Sequence, residues 1–161
     1  MHTGGLFSSE KKLRQRLKTS GAIVVGIETP TQPGVPDCII LEHCFPVWLE
    51  LKIASGEHVY LEPFQPSFAY NWAVRGGACF LFVGSKVKQE ILLLEIPDAR
   101  TAGEFTTIAD KKKYNINKLN LVKKWNYPYN FREIVCEITD EAKKRVVRYG
   151  GLRRKVRKNG N

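Results

Sequence analysis

Residues 78–83 read Ala-Cys-Phe-Leu-Phe-Val, an unbroken apolar run. In a strand, successive side chains point to opposite faces, so both faces of this one must be covered and it belongs at the centre of a sheet. The residues before it form a helix pattern. Pro63 suits a first helical position, Phe64, Phe68, Trp72 and Val74 follow along one side, and Gly76-Gly77 ends the run. Upstream, Cys38–Leu41 and Val47–Ile53 read as two strands joined by a turn at His43–Pro46, and Gly56 breaks the second. Glu90–Ile96 reads as another strand. Nearer the N-terminus, Ser8 or Ser9 can cap a helix reaching about Thr19, with Leu6, Leu13 and Leu17 as its apolar stripe and Gly21 as its stop. Ala22–Ile27 is a short β-rich run, and Thr29–Gly34, with two prolines, is a loop. Strands alternating with helices predict an α/β fold.

From 98 to 132 the pattern blurs. Ile116–Val122 fits helix or strand. Trp125, Tyr127, Tyr129 and Phe131 fit core packing, with base stacking as the alternative. Thr139–Tyr149 reads as a last helix.

The length of 161 residues suits one domain. No run approaches the roughly 20 apolar residues of a membrane span, and no secretory leader pattern opens the chain, so an intracellular protein without a membrane is expected. Cys38, Cys44, Cys79 and Cys136 include no C-x-x-C pair, which gives a zinc ribbon no support; buried free thiols are expected at Cys38 and Cys79. No phosphate-binding G-x-x-x-x-G-K-[ST] loop and no G-x-S-x-G elbow occur.

The net charge of +10 makes a polyanion the natural partner. Residues 141–161 hold nine basic side chains against the single acid Glu141, so a body over 1–140 is nearly neutral and the C-terminal segment is a polycation. That segment can be a solvated end or a phosphate-binding element. Lys143, Lys144, Arg145, Arg148, Arg153, Arg154 and Lys155 are its candidate DNA contacts, with Lys11 and Arg14 in a smaller basic cluster near the N-terminus.

The chemistry concentrates in Gly34-Val35-Pro36-Asp37 and Trp48-Leu49-Glu50-Leu51-Lys52. Pro36 keeps Val35 extended and sets Asp37 at a strand entrance. In the second strand Val47, Leu49, Leu51 and Ile53 share one face, and Trp48, Glu50 and Lys52 the other. The turn folds Asp37 back toward Glu50 and Lys52. Two adjacent carboxylates repel unless a cation joins them, and hard oxygen ligands suit Mg²⁺ or Mn²⁺. A neighbouring lysine can steer a water or meet developing phosphate charge. The plain alternative makes Glu50 and Lys52 the solvent face of an antiparallel strand.

Pro36-Asp37 followed by Glu50-Leu51-Lys52, with Gly34 before it and an aromatic at Trp48, resembles the PD-(D/E)xK nuclease superfamily. It looks most like its small virus-type replication-repair (VRR-type) nucleases and the archaeal-type Holliday-junction resolvases, over about residues 9–84. The resemblance implies a restriction-endonuclease-like fold, a central mixed sheet flanked by helices. It implies a DNA endonuclease, active as a homodimer on branched, flap or duplex DNA, with a virus or mobile element as a source. Asp37, Glu50 and the main-chain carbonyl of Leu51 would hold the metal, and Lys52 would orient or activate water. Glu10 matches an acid on the first helix that reaches metal directly or through water, or else it only stabilises the helix N-terminus. Gln65 matches a glutamine that holds phosphate or positions Lys52, or else it is a solvent-facing amide. Glu42 and His43 read as exposed turn residues, and His58 as a solvated imidazole in a Gly-bounded loop. A nuclease fold that binds nucleic acid without cutting is the alternative function.

Overall fold

The computed structural model describes residues 7–28, 32–97, 104–105 and 111–158, with only the backbone described for 104–105 and 147–158. Leu6 lies outside the described residues.

Helix α1 (Glu10–Lys18) starts at Ser9, whose side chain accepts from the Lys12 amide at 3.2 Å, and buries Leu13 and Leu17. Strands β1 (Ile23–Gly26), β2 (Cys38–Glu42) and β3 (Phe45–Ile53) form an antiparallel meander, as alternation and turn chemistry predict. The β2–β3 connection is a two-residue turn in which His43 and Cys44 have φ of 48° and 61°. Asparagine and glycine usually fill such positions, so this turn carries strain.

Strand β4 (His58–Leu61) is not among the strands expected from the sequence. His58 begins a strand, and Val59 and Leu61 are buried, because the chain rebounds after Gly56 and alternates with period two. Helix α2 (Phe64–Val74) begins one residue after Pro63. Its expected apolar stripe holds for Phe68 and Trp72, but Phe64 is 57% exposed. Strand β5 (Cys79–Ser85) is central and pairs with β3 in parallel, and β6 (Glu90–Glu95) returns antiparallel to it.

The blurred region resolves into β-structure and one long helix. It contains β7 (Glu104–Phe105), β8 (Lys112–Asn115), a 3₁₀ turn (Ile116–Lys118), β9 (Leu121–Asn126) and α3 (Phe131–Lys158). The ambiguous Ile116–Val122 is therefore part turn, part strand. The last helix starts at Phe131 rather than Thr139 and runs unbroken through residue 140. Trp125, Tyr129 and Phe131 pack into the core, as expected, while Tyr127 is 54% exposed.

The result is the expected α/β architecture, a six-stranded mixed sheet flanked by helices, in the order β1-β2-β3-β5-β6-β9. One face carries Leu49, Leu51, Phe80, Phe82 and Leu93 under α1 and α3. On the other, Leu81, Val83, Leu92 and Leu94 meet Val59, Leu61, Tyr114 and Ile116 of a small antiparallel sheet, β4-β8-β7. Burying both faces of β5 is what its continuous apolar sequence requires. No helix among the described residues is long and apolar enough to cross a membrane.

Candidate active site

The register of β2 on β3 pairs Cys38 with Leu49, which sets Asp37 beside Glu50. The Asp37 carboxylate is then fixed by the backbone, its Oδ2 accepting from the Leu51 amide at 2.8 Å. Gly34, three residues before Asp37, lets the preceding loop pass close to the start of α2. It has φ of 86°, and a Cβ there would lie 2.5 Å from the Phe64 carbonyl oxygen.

The face of β3 bearing Trp48, Glu50 and Lys52 is not a solvent face. Trp48 meets Phe68 and Trp72 of α2 edge-on, with ring centroids 5.5 and 5.6 Å away. That cluster seats α2 over the strand and brings Gln65 onto Glu50. Gln65 is 7% exposed, so it is no solvent-facing amide. Its Oε1 accepts from the Glu62 amide at 2.9 Å, and its Nε2 donates to Glu50 Oε1 at 2.5 Å. Both ends of the amide are used, so its orientation is set.

Glu50 is fully buried. Its Oε1 also lies 2.7 Å from Lys52 Nζ, while its Oε2 has no hydrogen-bond partner. Lys52 Nζ is 3.7 Å from Glu10 Oε1, so α1 contributes a second carboxylate. Five of the expected residues, Glu10, Asp37, Glu50, Lys52 and Gln65, thus converge, with Leu51 among them.

Electrostatics follow from this packing. Burial pushes the Glu50 carboxyl up to about 8, reinforced by the Asp37 carboxyl beside it and opposed by Lys52. Burial also raises Glu10, with Asp37 adding to it and Lys52 and Lys111 pulling it down. For Lys52 burial acts downward, but Glu50, Glu10 and Asp37 outweigh it, and the ammonium is held above its ordinary range. The neighbouring Cys38 thiol is buried and pushed up to about 12, which leaves it inert. All four cysteines are free.

A buried carboxylate with one orphaned oxygen and a second carboxylate beside it form a hard, anionic donor pair, to which Glu10 is joined through Lys52. Mg²⁺ or Mn²⁺ fits it, since such ions take one or two carboxylates and keep several waters. A different donor group occupies the other end of the β2–β3 hairpin. Ligand atoms of Glu42, His43 and Cys136 lie within 4.8 Å of one another. Glu42 is not the exposed turn residue expected. It is 7% exposed and bound by Arg132 at 3.0 Å and His43 at 3.2 Å, because the first turn of α3 packs over it. Five register steps, roughly 17 Å, separate the two groups.

Of the candidate DNA contacts, Lys11 is exposed and Arg14 partly exposed on α1, with the Arg14 guanidinium close against Gly26. Lys144 pairs with Glu141 at 2.8 Å. Arg145 pairs with Glu95 and lies over the Phe80 ring, 4.8 Å from its centroid. Lys143 is partly exposed on α3. The side chains of Arg148, Arg153, Arg154 and Lys155 lie outside the described residues.

A cavity of about 450 Å³ opens beside the carboxylates, lined by Glu10, Lys52, Ile53, Tyr60 and Lys111. Tyr60 comes from β4 of the small sheet, which was not expected from the sequence, and Lys111 from the residue just before β8. The available signal was His58-Val-Tyr-Leu, whose alternation after a glycine marks a strand.

The structure is an α/β sheet with an acidic, lysine-bearing cleft beside β2 and β3. It is similar to that of Hjc, a Holliday junction resolvase from the archaeal hyperthermophile Archaeoglobus fulgidus, with a TM-score of 0.49 and 14% sequence identity over 80% of this chain and 97% of that one. No family model and no curated protein matches the chain.

Proposed function

We propose that this protein is a divalent-metal-dependent DNA endonuclease of the PD-(D/E)xK type that hydrolyses phosphodiester bonds. Branched or flap DNA is its substrate class, and it works as a homodimer inside the cell, two symmetric sites matching two strands. The observation carrying this reading is the buried Glu50 carboxylate, whose Oε1 meets Lys52 while its Oε2 has no hydrogen-bond partner.

In that reading Asp37, Glu50 and the main-chain carbonyl of Leu51 hold the cation, and Glu10 reaches it directly or through water. Bound Mg²⁺ or Mn²⁺ supplies a Lewis acid and a water of lowered pKa. Gln65 holds the Glu50 carboxylate in place through its Nε2 proton. Lys52, kept charged by Glu50 and Glu10, orients the attacking water and meets the negative charge that grows on the phosphate. Asp37 is aimed by the Leu51 amide, so its position does not depend on the cation. The basic α1 and C-terminal segments supply attraction to the DNA backbone.

The test is incubation with four-way junction, flap and linear duplex DNA, with and without Mg²⁺ or Mn²⁺. Metal-dependent cutting is expected, lost in Asp37→Ala, Glu50→Ala and Lys52→Ala while binding survives. Cutting that persists in Glu50→Ala, with contaminating nuclease excluded, overturns the site. Binding without cutting under either metal leaves an inactive module.

A further inference from the structure

The small sheet β4-β8-β7 does more than cover the hydrophobic face of the main sheet. Its register pairs Tyr60 with Lys113 and Leu61 with Lys112. Directly opposed residues share a face, so Leu61 and Lys112 lie on the core side with Val59 and Tyr114. Accordingly, Lys112 Nζ sits 5.6 Å from the centroid of the buried Tyr114 ring. Tyr60 and Lys113 belong to the opposite side; Tyr60 lines the cavity that holds Glu10 and Lys52, and so does Lys111, the residue just before β8. Lys111 is close enough to Glu10 to draw its carboxyl down against the effect of burial. The cavity therefore joins one wall carrying a charged lysine and carboxylates to a second wall carrying an aromatic ring and another ammonium.

These two walls suit different parts of one nucleotide. An ammonium pairs with a phosphate as a point charge. A tyrosine ring stacks on a base, but only on a base whose π-face is free; in a continuous duplex each face is taken by the neighbouring base pair. We propose that Tyr60 and Lys111 form a binding site for an unpaired nucleotide next to the scissile bond, Tyr60 stacking its base and Lys111 holding its phosphate. The inference rests on the nuclease reading above and deepens it. It makes the small sheet the element that favours flap and branched substrates over plain duplex.

Equilibrium binding decides this. Fluorescence anisotropy would be measured on the full chain carrying Glu50→Gln, with Ca²⁺ replacing Mg²⁺ so that no strand is cut, against flap and fully paired DNA over a range of salt. Tyr60→Ala is expected to weaken flap binding about tenfold, the scale of one base–aromatic stack, and to leave duplex binding little changed. Tyr60→Phe keeps the ring and should bind as the parent does. Lys111→Ala should lower the salt slope by about 0.7 to 0.9, the value of one phosphate contact, and Lys111→Arg should restore it. Lys112→Ala, on the core side, should change neither selectivity nor slope by as much. Equal losses on flap and duplex in Tyr60→Ala, no loss on either, or an unchanged slope in Lys111→Ala would overturn the site. Thermal midpoints of the Phe and Arg variants report on folding. Metal-dependent cutting by the wild type without these binding effects removes this site and leaves the nuclease reading standing. The binding effects without cutting do the reverse.

Discussion

Replacing Glu50 by glutamine removes a carboxylate from a site where the fold disfavours its charged form. In the folded protein Glu50 titrates at about 8, against an ordinary value of 4.5. A raised folded value means that the unfolded chain releases this proton first as pH rises. The stability Glu50 contributes is therefore complete below 4.5 and is lost progressively toward about 8. Between about pH 5 and about pH 7.5 the loss amounts to roughly 3 kcal/mol, since each unit of pKa difference is worth about 1.4. For a chain of this size that is about 6 to 12 °C in thermal midpoint. Glu50 is fully buried, so solvent screening does not reduce the figure. Thermal unfolding of the wild type in a chelator should show a lower midpoint at pH 7.5 than at pH 5, and Glu50→Gln should flatten most of that slope. Lys52 keeps Glu10 as a counter-ion in this variant, which limits the damage. Adding Mn²⁺ at pH 7.5 should raise the wild-type midpoint and not the variant's, because a cation replaces the proton as the partner of the buried oxygen. A wild-type midpoint that stays flat or rises over this interval, or the same slope in Glu50→Gln, refutes the reasoning.

Gln65→Met should fold and bind DNA but weaken Mg²⁺ or Mn²⁺ affinity about 10- to 100-fold, as loss of a residue that orients a ligand does; isothermal titration measures it. Gly34→Ala should destabilise the protein by roughly 1 to 3 kcal/mol in denaturant titration, because the positive φ and the Phe64 carbonyl leave no room for a Cβ. Phe80→Ala should cost about 3 to 5 kcal/mol, its ring being fully buried and covered by Arg145. Removing residues 150–161 should weaken DNA binding and flatten its salt dependence; an unchanged slope would take that segment out of the interface.

Local chemistry determined much of this protein. Ala78–Val83 had to be a central strand, since an unbroken apolar run needs cover on both faces. Period-two alternation in Val47–Ile53 put Glu50 and Lys52 on one side, and the short turn brought Asp37 to them. Ser9 caps the start of the first helix, as its side chain predicts, and the helix ends at Lys18 with Thr19 as its C-cap. Other features had no local signature. The burial of Glu50 depends on α2 docking through Trp48, Phe68 and Trp72, and so does the role of Gln65, which is a contact fifteen residues away along the chain. Glu42 looked exposed because its partner Arg132 lies ninety residues distant. Strands β4 and β8 are four residues each, and although His58–Leu61 alternates, they become a sheet only when each supplies the other's hydrogen bonds. Alternation and turns act over a few residues and are written in the sequence, whereas burial and the pKa changes that follow from it arise where distant segments exclude water together.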